Sequence, residues 1–85
     1  MTTTSAATTT RPLYEIAREI RSLWNPVHPW AEPYVVAMAS LNLITDNYGH
    51  DDAKGIVLRF LGNARTWRGP DARRIKAELN AMVAR

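Results

Sequence analysis

The sequence predicts an all-α fold: a compact three- or four-helix bundle over residues 11–85, preceded by a disordered Thr-rich tail over residues 1–10. Three observations predict it. Apolar residues recur three and four apart in four separate segments, proline or glycine stands at the junctions between them, and no segment shows the alternation of a half-buried strand.

The tail, Met1 to Thr10, is almost wholly Thr and Ala, with too little apolar surface to offset the entropy of ordering it. It lacks the basic start and apolar centre of a signal peptide. The first helix is expected to begin near Thr10 as N-cap, with Pro12 in its first turn. Leu13, Ile16, Ala17, Ile20, Leu23 and Trp24 form its apolar stripe, and Glu15, Arg18, Glu19 and Arg21 fill the other face. Asn25-Pro26 ends it, because a residue before proline is pushed out of helical geometry.

A segment with three prolines follows, holding His28 and Trp30. The second helix is expected from Pro33, with Tyr34, Ala37, Met38, Leu41, Ile44 and Tyr48 on its inner face and Val35 and Leu43 widening it. Gly49 then supplies the left-handed stop. His50 or Asp51 opens the third helix, whose Ala53, Ile56, Val57, Phe60, Leu61, Ala64 and Trp67 face the core. Gly55 and Gly62 lie nearly on one side of it; each costs about 1 kcal/mol against Ala inside a helix, so close approach of a neighbouring helix is expected there. Gly69-Pro70-Asp71 restarts the chain as a fourth helix with Ala72, Ile75, Leu79, Met82 and Val83 on its apolar stripe.

Eighty-five residues with 46% hydrophobic and 22% charged residues are enough for one small soluble core and no second one. The absence of cysteine excludes disulfides and thiolate metal sites, and no apolar run approaches the roughly 20 residues of a membrane span. The net charge of +3 is unevenly placed. Residues 32–52 hold Glu32, Asp46, Asp51 and Asp52 and no Lys or Arg, whereas residues 65–85 hold six basic residues against Asp71 and Glu78. Such polarity points to an anionic partner or to head-to-tail self-association, the plain alternative being an unevenly charged surface.

Enzyme chemistry has little to build on, since no phosphate loop, catalytic carboxylate pair or metal signature is present and neither histidine has an evident partner. No catalysis and no cofactor are expected. Asp46, Asn47, His50, Asp51 and Asp52 superficially resemble an oxygen-rich cation loop, but they lack the alternating ligands and distal Glu of an EF-hand, and a helix stop followed by a cap explains each of them. The corner before the last helix, followed by Ala72-Arg73-Arg74-Ile75-Lys76, has the outline of a helix-turn-helix, with Arg65 where a small residue normally packs and Arg68 at a normally buried position. Arg73, Arg74 and Lys76 read equally as a solvated face. Trp30 reads as an aromatic anchor on a stiff loop or as part of a lid over the bundle; Trp24 and Trp67, which extend helical stripes, read as core.

The runs from Pro12 to Ile20, Pro33-Tyr34 with Ala37-Met38, Tyr48-Gly49, Ile56-Val57, Phe60-Leu61, Asn63-Ala64, Trp67-Arg68-Gly69 and Ala72 to Leu79 together resemble small helical proteins encoded by actinobacterial phages and related mobile elements. The resemblance spans roughly residues 12–83 and implies a helical phage-type protein acting in a bacterial cytoplasm; it transfers no functional residue. The expectation is therefore a non-enzymatic interaction protein whose partner is a protein, either a host factor or a second copy, with no membrane association. Its contact residues are expected to be Arg65, Arg68, Arg73, Arg74, Lys76 and Trp30, and the rival expectation is DNA or RNA binding through the same basic end. A metal or catalytic role for His50 and its acidic neighbours is the third. Deletion of residues 1–9 is expected to leave the thermal melting midpoint nearly unchanged; a large fall in the melting curve would show that the tail packs.

Overall fold

The computed structural model describes residues 11–84, in which four helices and one small hairpin follow in the order α1 (Leu13–Leu23), α2 (Glu32–Met38), β1 (Asn47–Tyr48), β2 (Asp51–Asp52), α3 (Ala53–Gly62) and α4 (Pro70–Val83). The Thr-rich tail lies outside the described residues. The helical expectation holds, with an antiparallel ladder added, Asn47 opposite Asp52 and Tyr48 opposite Asp51. Two residues per strand are too few for alternation to show in a sequence. Gly49, expected to stop a helix, instead turns this hairpin at φ +63°.

The apolar stripes of α1, α3 and α4 are buried as their spacing requires. Leu13, Ile16, Ala17 and Ile20 meet Ala53, Ile56, Val57 and Phe60 and Ala72, Ile75, Leu79 and Met82 in one core. Arg11 pairs with Glu78 while Arg74 pairs with Glu19, so α1 and α4 run antiparallel. The start of α1 and the start of α3 share one end of the molecule, because residues 41–46 bond to both. Trp24, just past α1, packs against Phe60 near the end of α3 at the other.

Several boundaries differ from expectation. Helix α1 begins at Leu13, with Pro12 rather than Thr10 as its N-cap residue and no side-chain cap bond. Its first amides are satisfied at long range: Leu13 N–H donates to Asn42 O at 2.9 Å and Tyr14 N–H to Leu41 O at 2.9 Å. The same bonds explain why α2 stops at Met38 instead of reaching Tyr48. The carbonyls of Leu41 and Asn42 are turned toward α1, and the Asp46 carboxylate accepts from the amides of Asn42 (3.2 Å) and Leu43 (2.9 Å). Leu41 remains buried, but Leu43 and Tyr48, expected inside, are exposed.

Helix α3 opens at Asp52 rather than at His50 or Asp51, with its carboxylate accepting from Gly55 N–H at 2.7 Å. Gly55 and Gly62 serve no helix–helix approach. A Cβ at Gly55 would meet only the Asp52 carboxylate, and one at Gly62 would meet nothing within 4 Å. The helix ends at Gly62, and Ala64 and Trp67 reach the core from the turn that follows. Leu23, placed on the inner stripe of α1, is largely exposed, whereas Trp24 is partly buried and stacks on Trp67 at a centroid distance of 5.3 Å and 2° between planes.

Phe60 is fully buried and edge-on to Trp24. Phe60→Ala is expected to cost about 3–5 kcal/mol in chemical denaturation; wild-type stability would show that the aromatic cluster does not depend on it.

Candidate functional site

The loop between α1 and α2 is built to hold one indole outside the core. His28 O accepts from Ala31 N–H at 2.9 Å and Glu32 N–H at 3.0 Å, which closes the turn that starts α2. His28 Nδ1 accepts from Trp30 N–H at 3.1 Å, and the imidazole lies edge-on to the indole at 5.5 Å. Pro29 restricts the backbone on one side of Trp30, and fully buried Ala31 pins it on the other. The result is a side chain 74% exposed on a backbone with little freedom to retract it.

Trp30 stands over the end of α3. With His28, Gly62, Asn63, Arg65 and Thr66 it lines a cleft of about 310 Å³. The floor at Gly62 is open, since nothing lies within 4 Å of where a Cβ would be. One helical turn earlier on the same ridge is Leu58, itself 50% exposed. The Asn63 amide donates to Arg59 O at 2.8 Å, fixing the end of the helix beneath the cleft. An aromatic wall, an aliphatic neighbour, a flat glycine floor and a guanidinium therefore share one surface.

Of the six residues singled out in the sequence, Trp30 and Arg65 are brought together in this cleft. Arg68 lies near enough to Lys76 for its charge to act on that ammonium, and Arg73 is exposed on α4. Arg65, Arg68 and Arg73 form no ion pair among the described residues. Lys76 and Arg74 have internal partners. The Lys76 ammonium donates to Trp67 O at 2.6 Å and thus braces the corner from α4. Its pKa is held below the ordinary lysine value by burial and, secondarily, by the charge of Arg68.

Arg74 donates to Glu19 at 2.7 Å and lies 3.4 Å from Asp71, while Arg11 bonds Glu78 at 2.7 and 3.0 Å and lies 2.9 Å from Glu19. These five charges form a chain that straps α1 and the residue before Pro12 to α4. The hydrogen bond from Arg74, reinforced by Arg11, holds the Glu19 carboxyl below its ordinary value against the opposing effect of burial. Arg74 is raised chiefly by Glu19, and Arg11 chiefly by Glu78.

The helix-turn-helix outline gains no support from the corner between α3 and α4, which takes residues 63–69 rather than the three or four of that motif. At the other end, Asp46 and Asp52 serve as turn and helix caps and Asp51 lies 3.4 Å from Arg59. Among the described residues no group of three or more His, Asp or Glu is placed to hold a metal ion, and no helix is long and apolar enough to cross a membrane. Leu58 was absent from the sequence-based set although it falls off the inner stripe of α3, and Gly62 was singled out there with Gly55 as a face of close approach rather than as a contact residue. His28 Nδ1 as a brace for Trp30 carried no sequence signal.

Comparison of the chain with family models, curated proteins and solved structures gave no match.

Glu19→Gln is expected to lower stability at neutral pH by about 1 kcal/mol or less. Because the folded carboxyl titrates below its unfolded value, the gap from wild type should be full above the ordinary glutamate range, roughly pH 4.3, and close as pH falls through the depressed folded value. Urea melts of both proteins across acid pH provide the check, and a gap independent of pH would show that the pairing is not electrostatic.

Proposed function

We propose that this chain is a small non-enzymatic interaction protein of phage type, acting in a bacterial cytoplasm by binding a protein partner through the Trp30–Arg65 cleft. One observation carries the reading: a tryptophan 74% exposed on a braced backbone, beside an open glycine floor and a guanidinium. Leaving an indole in water forgoes its burial free energy, and rigid aromatics with a neighbouring arginine are the residue types that dominate protein interfaces. The contact surface is narrower than the basic end as a whole. It centres on Trp30 and Arg65 with Arg68 and Arg73 outside, because Arg74 and Lys76 are committed internally.

A second reading, nucleic-acid binding, rests on Arg65 beside an exposed aromatic ring and on Arg68 and Arg73 elsewhere on the basic end, all lacking ion pairs among the described residues, a combination that also suits phosphates and stacked bases. Salt separates the two. Phosphate binding weakens steeply as counterions compete, whereas an interface centred on an indole depends on salt much less.

Tagged protein is expected to capture a defined protein species from bacterial lysate. Trp30→Ala should weaken that capture by about 2 kcal/mol or more, some thirtyfold in affinity. A labelled random-sequence duplex and a labelled single strand, titrated by fluorescence anisotropy at several salt concentrations, should bind weakly or not at all. Tight binding that collapses with salt and with Arg65→Glu would transfer the cleft to the nucleic-acid reading.

A further inference from the structure

The two ends of α3 carry complementary surfaces. At its start, Leu43 and Tyr48 are 55% and 42% exposed, and Tyr14, 41% exposed, is tied there by its N–H bond to Leu41 O. Around them stand Glu15, Asp46, Asp51 and Asp52, with Lys54 beside them and Arg59 reaching back to Asp51. At the other end, about 15 Å along the helix axis, Trp30 and Leu58 are exposed beside Arg65, and Arg68 and Arg73 lie on the corner and α4 without ion pairs among the described residues. One end therefore presents apolar side chains among net acidic neighbours, and the other presents Trp30 beside the Arg65 guanidinium, with Arg68 further along the corner.

We propose that the occupant of the Trp30–Arg65 cleft is a second copy of this chain, which docks its acidic hairpin end, with Tyr48 as the apolar contact, against Trp30 and the open floor at Gly62. The proposal rests on the protein-binding reading of the cleft and specifies its partner. Charge complementarity selects the hairpin end: Glu15 forms no ion pair among the described residues, and Asp46 and Asp52 keep their negative charge while capping turns, so a net acidic end meets Arg65, whereas the same cleft meeting itself across a two-fold axis would set arginine against arginine. The open floor at Gly62 is consistent with close approach by a projecting ring, since no contact within the chain requires a glycine there. Because the two surfaces differ and lie at opposite ends, the contact is heterologous. Copies then add head to tail into open chains or a closed ring, the smallest ring being an antiparallel pair joined by two reciprocal contacts.

Two exposed substitutions dissect it. Trp30→Glu places a negative charge in the cleft, and Tyr48→Lys removes the ring and adds a positive charge to the hairpin, each leaving the other surface whole. Neither side chain belongs to the core, and unchanged melting curves verify the fold. Sedimentation velocity is expected to show wild-type protein associating as concentration rises, with association reduced by added salt and weakened about tenfold or more in each variant. An equimolar mixture of the two variants should form a one-to-one complex and nothing larger, because only one intact pair of surfaces remains.

A wild-type protein that stays monomeric at low salt and high concentration would overturn the proposal. So would association that neither variant affects, or a mixture that stays monomeric although each variant alone has lost association. In those cases, lysate capture that still depends on Trp30 would leave the protein-binding reading standing with a different partner, and loss of both would remove it.

Discussion

The stack of Trp24 on Trp67, closed underneath by the edge of Phe60, is the contact on which the far end of the molecule depends. It joins three stretches of chain that have no regular structure in common: the residue after α1, the end of α3 and the corner before α4. Helix α3 stops at Gly62 and α4 does not begin until Pro70, so the turn between them has few backbone bonds of its own. Trp67 gives that turn a buried side chain, and Lys76 gives its carbonyl a donor. With the turn and the loop after α1 both anchored, Trp30 and Arg65 are held at fixed positions on either side of the end of α3. Display of the exposed indole thus follows from burial of the other two.

Helical periodicity made the core legible because it reports directly on which face is wet. Every residue expected on the inner faces of α3 and α4 is buried or packed against the core. The errors lie where long-range polar bonds override local pattern. Nothing in the run from Ala39 to Tyr48 announces that the carbonyls of Leu41 and Asn42 are accepted by another helix, or that Asp46 gathers two amides. Spacing therefore extended α2 past its true end. The site was legible in its parts but not in its assembly. Trp30 and Arg65 were both evident as residue types; their meeting depends on a loop whose path is set by His28, Ala31 and the aromatic stack.

Charge was the least transferable reading. Composition shows a basic last third, yet α4 spends part of its positive charge internally. The strap from Asp71 through Arg74, Glu19 and Arg11 to Glu78 alternates in sign and binds α1 to α4. Such partly exposed pairs contribute little individually; linked in a chain, they hold the pairing register of two helices. Without ion pairs among the described residues are Arg65 and Arg68 at the corner and Arg73 on α4, a smaller set than composition suggests.

The backbone bonds from Leu13 and Tyr14 to the carbonyls of Asn42 and Leu41 have a consequence for local opening. The first turn of α1 has no side-chain cap, so the amides of Leu13 and Tyr14 are protected only while the segment after α2 stays docked. That segment in turn is held by Asp46, whose carbonyl accepts from Ala53 N–H at the start of α3. Fraying at this end is therefore expected to be concerted, the beginning of α1 and the turn over residues 41–46 opening together although distant in sequence.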